Sequence, residues 1–174
     1  MTVSPDHTSV PRWPDEPPDV DPTGSSYLVV STGEAGRAVA SRWTAAIASL
    51  AKPLWAHHDS GESPLALDGL SRELAAARVG TRVMVAAPER DVLDVLRLAR
   101  AAGAVDAELR AHVTPASDLR VYCPHCRTDT HARLSVGDTV ACEGCHRTLI
   151  VYHHVSRLHG AYLGYMVDAE EPTT

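Results

Sequence analysis

Two short cysteine pairs constrain this chain more than any other feature. Cys123-Pro124-His125-Cys126 is followed after fifteen residues by Cys142-Glu143-Gly144-Cys145, and there is no other cysteine. The spacing C-x2-C-x15-C-x2-C is that of a four-thiolate zinc site. Each pair forms a tight knuckle presenting two sulfurs to one ion, and two knuckles complete a tetrahedron. The competing readings are four buried free thiols or two disulfides. Paired knuckles at this separation seldom arise without a metal, so Cys123, Cys126, Cys142 and Cys145 are the expected ligands. Zinc is the expected ion, with iron in the same thiolates as the alternative.

The remaining composition narrows the class. A chain of 174 residues with 44% apolar and 22% charged side chains is that of a globular protein, one domain or a domain with a metal-dependent satellite. A net charge of −6 and arginines scattered without a dense run argue against nucleic acid as a partner. No stretch approaches the about eighteen apolar residues of a membrane helix. Met1 to Val10 lacks the regions of a secretory signal, and metal-type cysteine pairs point to the reducing cytoplasm.

Along the chain, residues 1–25 hold six of the twelve prolines together with Asp15, Glu16, Asp19 and Asp21, and read as a disordered tail that only Trp13 would anchor. From Ser26 the texture alternates. Strands are expected at Tyr27–Ser31, Pro53–His57, Thr81–Ala87 and Asp106–Val113, and helices at Glu34–Ala51, Leu70–Ala77 and from Pro88 to Gly103. This order implies α/β architecture with a parallel sheet in a trimmed Rossmann-type domain over 26–115. A second domain over 119–168 reads as a zinc ribbon of three strands. Gly137-Asp138 is its expected hairpin turn and Thr148–His153 its third strand; residues 169–174 form a tail.

Several sites have modest readings. Thr32-Gly33-Glu34-Ala35-Gly36 follows the first strand, where a turn can set N–H groups against a phosphate. It lacks the full glycine fingerprint, and Glu34 would repel a pyrophosphate. A tight strand-to-helix turn is the first reading, a cofactor turn through Gly33 and Gly36 the second. His57 and His58 beside Asp59 must face opposite ways on an extended strand. His125 and His146 adjoin knuckles already filled by four thiolates, and Arg127 and Arg147 could offset the charge of a Zn(Cys)4 centre. His153, His154 and His159, with Tyr162 and Tyr165, suit a C-terminal arm that docks on a partner through Val155 to Tyr165. No catalytic constellation stands out.

Two resemblances add to this. Arg82-Val83-Met84-Val85-Ala86-Ala87-Pro88-Glu89, with Val92-Leu93-Asp94-Val95-Leu96 and Ala102-Gly103, resembles the end of the pyridine-nucleotide module of ferredoxin reductases. That module runs Cys-Gly-Pro where Ala86, Ala87 and Pro88 stand here. Val121-Tyr122-Cys123-Pro124-His125-Cys126, the second knuckle, and His154-Val155-Ser156-Arg157 through Gly160-Ala161-Tyr162-Leu163-Gly164 resemble the small A-subunit family of bacterial dimethylamine monooxygenase. The resemblance implies a subunit of an NAD(P)H-dependent multicomponent oxygenase that N-demethylates secondary amines. Haem, flavin and iron–sulfur centres would reside mainly on partner subunits. An accessory subunit, an iron electron carrier and a nucleotide-binding enzyme are the three functions this leaves in play.

Overall fold

A computed structural model describes residues 8–115 and 118–169. They divide into two compact units, 13–115 in one and 8–12 with 118–169 in the other.

The first unit is α/β. Apolar runs form β1 (Ser26–Thr32), β2 (Leu54–Asp59), β3 (Thr81–Ala87) and β4 (Leu109–Val113), and amphipathic stretches form α1 (Gly33–Ser49), α2 (Asp68–Ala76) and α3 (Glu89–Ala101). The four strands are parallel in the order β2-β1-β3-β4. β1 and β3 are nearly all buried, as central strands covered on both faces must be. One face packs Leu28, Val30, Val83 and Val85 against Leu70, Leu74 and the Val92, Val95, Leu96 and Ala99 stripe of α3. The other packs Tyr27, Val29, Met84 and Ala86 against Val39, Trp43 and Ile47 of α1. The last strand is shorter than expected, because Asp106–Glu108 forms a 3-10 turn; its Glu108 carboxylate accepts the N–H groups of Gly80 and Val105.

The second face holds a single helix over four strands, and this corrects the reading of 1–25 as a disordered tail. Residues 1–7 lie outside the described residues. From Trp13 to Ser25 the chain instead packs along the α/β unit. Val20 joins the core beneath α1. The buried Trp43 ring N–H donates to Pro18 O at 2.8 Å, and the buried Tyr27 hydroxyl donates to Asp21 O at 2.6 Å. Asp21 meets the Arg82 guanidinium at 2.7 Å, and Trp13 Nε1 donates to Glu89 at 2.9 Å. Proline-rich, extended chain can cover apolar surface without needing ladder hydrogen bonds of its own.

The Thr23 hydroxyl, the Thr23 N–H and Arg82 together hold the Asp21 carboxyl well below its ordinary value. A folded-state pKa below the unfolded one gives stability that is present above the unfolded value and lost as pH falls toward the folded value. Asp21→Asn should therefore lower the melting temperature at pH 7, and the difference from wild type should shrink once pH drops below about 4. A difference independent of pH would mean that the carboxylate charge is not what anchors the segment.

The second unit is a five-stranded sheet, where a three-stranded ribbon with an arm was expected. Its strands are β5 (Asp118–Tyr122), β6 (Asp129–Arg133), β7 (Thr139–Ala141), β8 (Thr148–Ser156) and β9 (Ala161–Met166), in the order β6-β5-β9-β8-β7. Two expectations are corrected. β6 pairs with β5 and β7 with β8, so each hairpin closes at its own knuckle; Gly137-Asp138 lies between the hairpins, clasped by Val151 through Gly137 N–H to Val151 O and Val151 N–H to Asp138 O. The stretch Val155 to Tyr165 is not a free arm. β9 is the central strand, parallel to β5 and antiparallel to β8, with Ala161, Tyr162 and Gly164 buried. The knuckle hairpins alone share no ladder, and β9 supplies the strand that joins them.

Candidate metal centre

The two knuckles are built on one backbone plan. Cys123 N–H donates to Thr128 O and Cys123 O accepts from Arg127 N–H; Cys142 N–H donates to Arg147 O and Cys142 O accepts from His146 N–H. Arg127 and His146 hold the same place in each turn, and both are left-handed, with φ of 64° and 59°. This places the first sulfur of each pair inward and the second near the surface: Cys123 and Cys142 are buried, Cys126 and Cys145 half-buried.

All four Sγ atoms lie within 4.8 Å of one another. Cys123 Sγ is 3.8 Å from Cys145 Sγ, and Cys126 Sγ is 3.5 Å from Cys142 Sγ. A disulfide needs about 2.05 Å, so these are not disulfides. A tetrahedron with metal–sulfur bonds of about 2.3 Å has edges of about 3.8 Å, which is the spacing found. Among the described residues this is the one group of three or more such ligand atoms close enough to share an ion.

The protonation of the thiols favours a cation as well. The Thr128 hydroxyl and N–H hold the Cys126 thiol down at about 6. At Cys145 the Arg147 N–H also pulls down, but burial and the sulfurs of Cys126, Cys142 and Cys123 outweigh it, and the thiol is pushed up to about 11. Sulfurs this close cannot all ionise until a positive ion lies among them. The residues present fit a Zn(Cys)4 or Fe(Cys)4 centre, and four protein ligands leave no open coordination position.

Neighbours that the spacing alone could not reveal complete the centre. The buried Thr130, from the first hairpin, accepts the Glu143 N–H of the second knuckle at 3.1 Å. A Cβ on Gly144 would meet the Thr128 hydroxyl, and would lie 2.9 Å from Thr128 Cβ and 3.0 Å from Cys126 Sγ. Gly144→Ala should therefore push the knuckles apart, at a cost of about 1–3 kcal/mol, and loosen the metal. Competition with a colorimetric chelator would read this as faster metal release than from wild type, and an unchanged rate would count against the close packing.

The other expected sites separate. His125 and His146 are exposed and lie outside the sulfur cluster. The Arg147 guanidinium contacts Met166 Sδ at 3.0 Å. The three downstream histidines do not gather: His159 stacks on Tyr122 at 4.0 Å, whereas His153 and His154 crowd Tyr152 at 4.0 and 5.2 Å. A β-bulge between Val151 and Val155 produces that crowding, and Ser9 Oγ accepts from Val155 N–H and bonds His154 Nδ1 there. In the α/β unit, His58 Nδ1 bonds Ser31 Oγ at 3.0 Å on the α1 face, and His57 stacks with Trp55 at 5.9 Å. Gly33 has φ of 70° with open space around it, and Gly36 lies directly against the Ala86 carbonyl, where a Cβ would clash. Beside that turn, sequence reasoning missed Asp91. It is 2% exposed, burial raises its carboxyl above the ordinary value, and its Oδ2 lacks a partner, as does Thr32 Oγ1.

Comparison with known proteins places this architecture. Residues 120–165 match the family described as "Dimethylamine monooxygenase subunit DmmA-like, C-terminal domain", a span that runs from β5 through both knuckles into β9. The "Heme-dependent oxidative N-demethylase delta subunit" of Ectopseudomonas mendocina (strain ymp) is 35% identical over 167 residues, which cover 94% of this chain and 91% of that protein. Among solved structures, phthalate dioxygenase reductase, described as a modular structure for electron transfer from pyridine nucleotides to [2Fe-2S], aligns with a TM-score of 0.41 at 12% identity. That alignment covers 71% of this chain and 49% of the reductase, so the chain spans about half its length. With more than a third of the residues shared along nearly the whole of both proteins, the chain belongs to the DmmA-like family of N-demethylase subunits.

Proposed function

We propose that this chain is a zinc-binding, non-catalytic subunit of a multi-subunit, NAD(P)H-dependent N-demethylase acting on secondary amines such as dimethylamine. The observation that carries this reading is the 35% identity to a delta subunit along nearly all of both chains. Cys123 and Cys126 on the β5–β6 hairpin, with Cys142 and Cys145 on the β7–β8 hairpin, hold the ion. Zinc bound there acts as a cross-link and, with its coordination closed, presents no position to substrate. The chain's own residues do the rest: the knuckle turns fix the thiolates, Thr128 bonds Cys126 within its own knuckle, Thr130 accepts from Glu143 of the other, and β9 locks both hairpins into one sheet. Haem and flavin chemistry belongs, on this reading, to the partner subunits.

A second reading is favoured by the half-buried Cys126 and Cys145, which bring the centre near the surface. Iron in the same four thiolates would make the chain an electron carrier. The test of the subunit role is genetic and biochemical. Deleting the chain from a host that demethylates secondary amines should leave the remaining subunits unassembled or inactive. Full assembly and activity without it would contradict the proposal.

A further inference from the structure

A groove runs between α1 and the edge strand β2 of the α/β unit. Arg37, Ala40, Ser41 and Thr44 recur at helical spacing and form one stripe of α1 along it. The register Val29↔Ala56 and Ser31↔His58 lays these four residues opposite that stripe. β2 is the outermost strand of its sheet, so one side of the groove stays open, and its volume is about 210 Å³.

The groove has two chemically distinct ends. Val29, Ala40 and Ala56 make an apolar floor, whereas Arg37 and His58 bring two nitrogen donors to the other end. The imidazole is not loose: Ser31, itself 2% exposed, bonds its Nδ1 at 3.0 Å, so Nε2 is the ring nitrogen left for a ligand in the groove that His58 lines. We propose that this groove binds a small aliphatic monocarboxylate, its head on Arg37 and His58 and its alkyl chain over Val29, Ala40 and Ala56. The guanidinium fork suits a planar carboxylate, and Val29, Ala40 and Ala56 give its alkyl chain an apolar surface that inorganic phosphate would leave uncovered.

The charged groups around His58 are mixed in sign. Arg37, Glu34, Asp59 and His57 all act on it; burial, and then Arg37, hold its imidazole below the ordinary value. Glu34 stands 4.0 Å from Arg37 but is 94% exposed, a pair weak enough for a ligand to displace. Its carboxylate nonetheless opposes a dianion. A bound carboxylate would favour the imidazolium and raise the His58 titration midpoint.

The proposal is independent of the subunit assignment, and its test needs only the intact chain. The His58 ring proton signals would be followed by NMR during titration with butanoate, butan-1-ol and inorganic phosphate. Butanoate should give a saturable shift and raise the His58 midpoint, and butan-1-ol should not. Arg37→Ala, at a side chain 57% exposed, should preserve the fold and weaken butanoate binding by about tenfold or more, with Arg37→Lys in between. No saturable shift, equal affinity in Arg37→Ala, or tighter binding of phosphate than of butanoate would overturn it.

Discussion

Cys142→Ser is expected to abolish stoichiometric metal binding and to unfold the five-stranded unit, leaving the α/β unit folded. Cys142 is fully buried and supplies one of four converging sulfurs. A serine hydroxyl is a poor replacement for a thiolate, and it would lie buried beside three thiols that then lack a common cation. The apolar core here is small: among the described residues, Leu119, Val121, Leu149, Val151, Val155, Ala161 and Tyr162 are its buried hydrophobic side chains besides two cysteines. A unit of this size rarely holds together by burial alone, whereas structural zinc contributes roughly 10–16 kcal/mol of apparent binding free energy near neutral pH. Hydrogen exchange would show the loss directly, with protection vanishing over 118–169 and persisting in β1 and β3. His125→Ala and His146→Ala, at exposed positions outside the cluster, should keep one metal per chain. Retained protection over 118–169 in Cys142→Ser would mean that the sheet does not depend on the metal.

Removing residues 1–22 is the second large change. The deletion takes away Val20 from the core beneath α1, the acceptors of Trp43 and Tyr27, and the Asp21 partner of Arg82. Water can reach the freed donors once the segment is gone, so the cost is mainly apolar burial and net hydrogen bonding, roughly 2–5 kcal/mol. Urea unfolding of the truncated chain should show the α/β transition at a clearly lower midpoint. Tyr27→Phe in the full chain isolates one bond and should cost about 1 kcal/mol. An unchanged midpoint after truncation would return the segment to the status of a passenger tail.

The α/β unit and the pairing of the four cysteines into one cluster were legible for local reasons. Tyr27–Ser31 and Thr81–Ala87 are apolar runs too short for helices and bounded by turn residues, and a C-x2-C pair needs only neighbours in sequence to form a knuckle. What the sequence hid depends on distant partners. Proline and acid density around Asp21 looks like disorder until Arg82, sixty-one residues later, neutralises it. β9 resembled an arm because its glycines and tyrosines show no plain alternation, yet Tyr162 pairs with both Val121 and Val155 at the centre of the sheet. Gly137-Asp138 has good hairpin chemistry, but the knuckles on either side had already closed the two hairpins. Asp91 gave no signal at all, since an acid in the first turn of a helix is ordinarily a solvated partner of the helix dipole.

Metal analysis of the purified 174-residue chain, with its visible absorption spectrum, decides whether the four thiolates hold zinc. One zinc per chain, no visible absorbance, and loss of the ion in Cys142→Ser are the expected results. A red protein carrying one iron would transfer the centre to electron transport, and a folded wild-type chain with no bound metal would rule out a metal-dependent sheet.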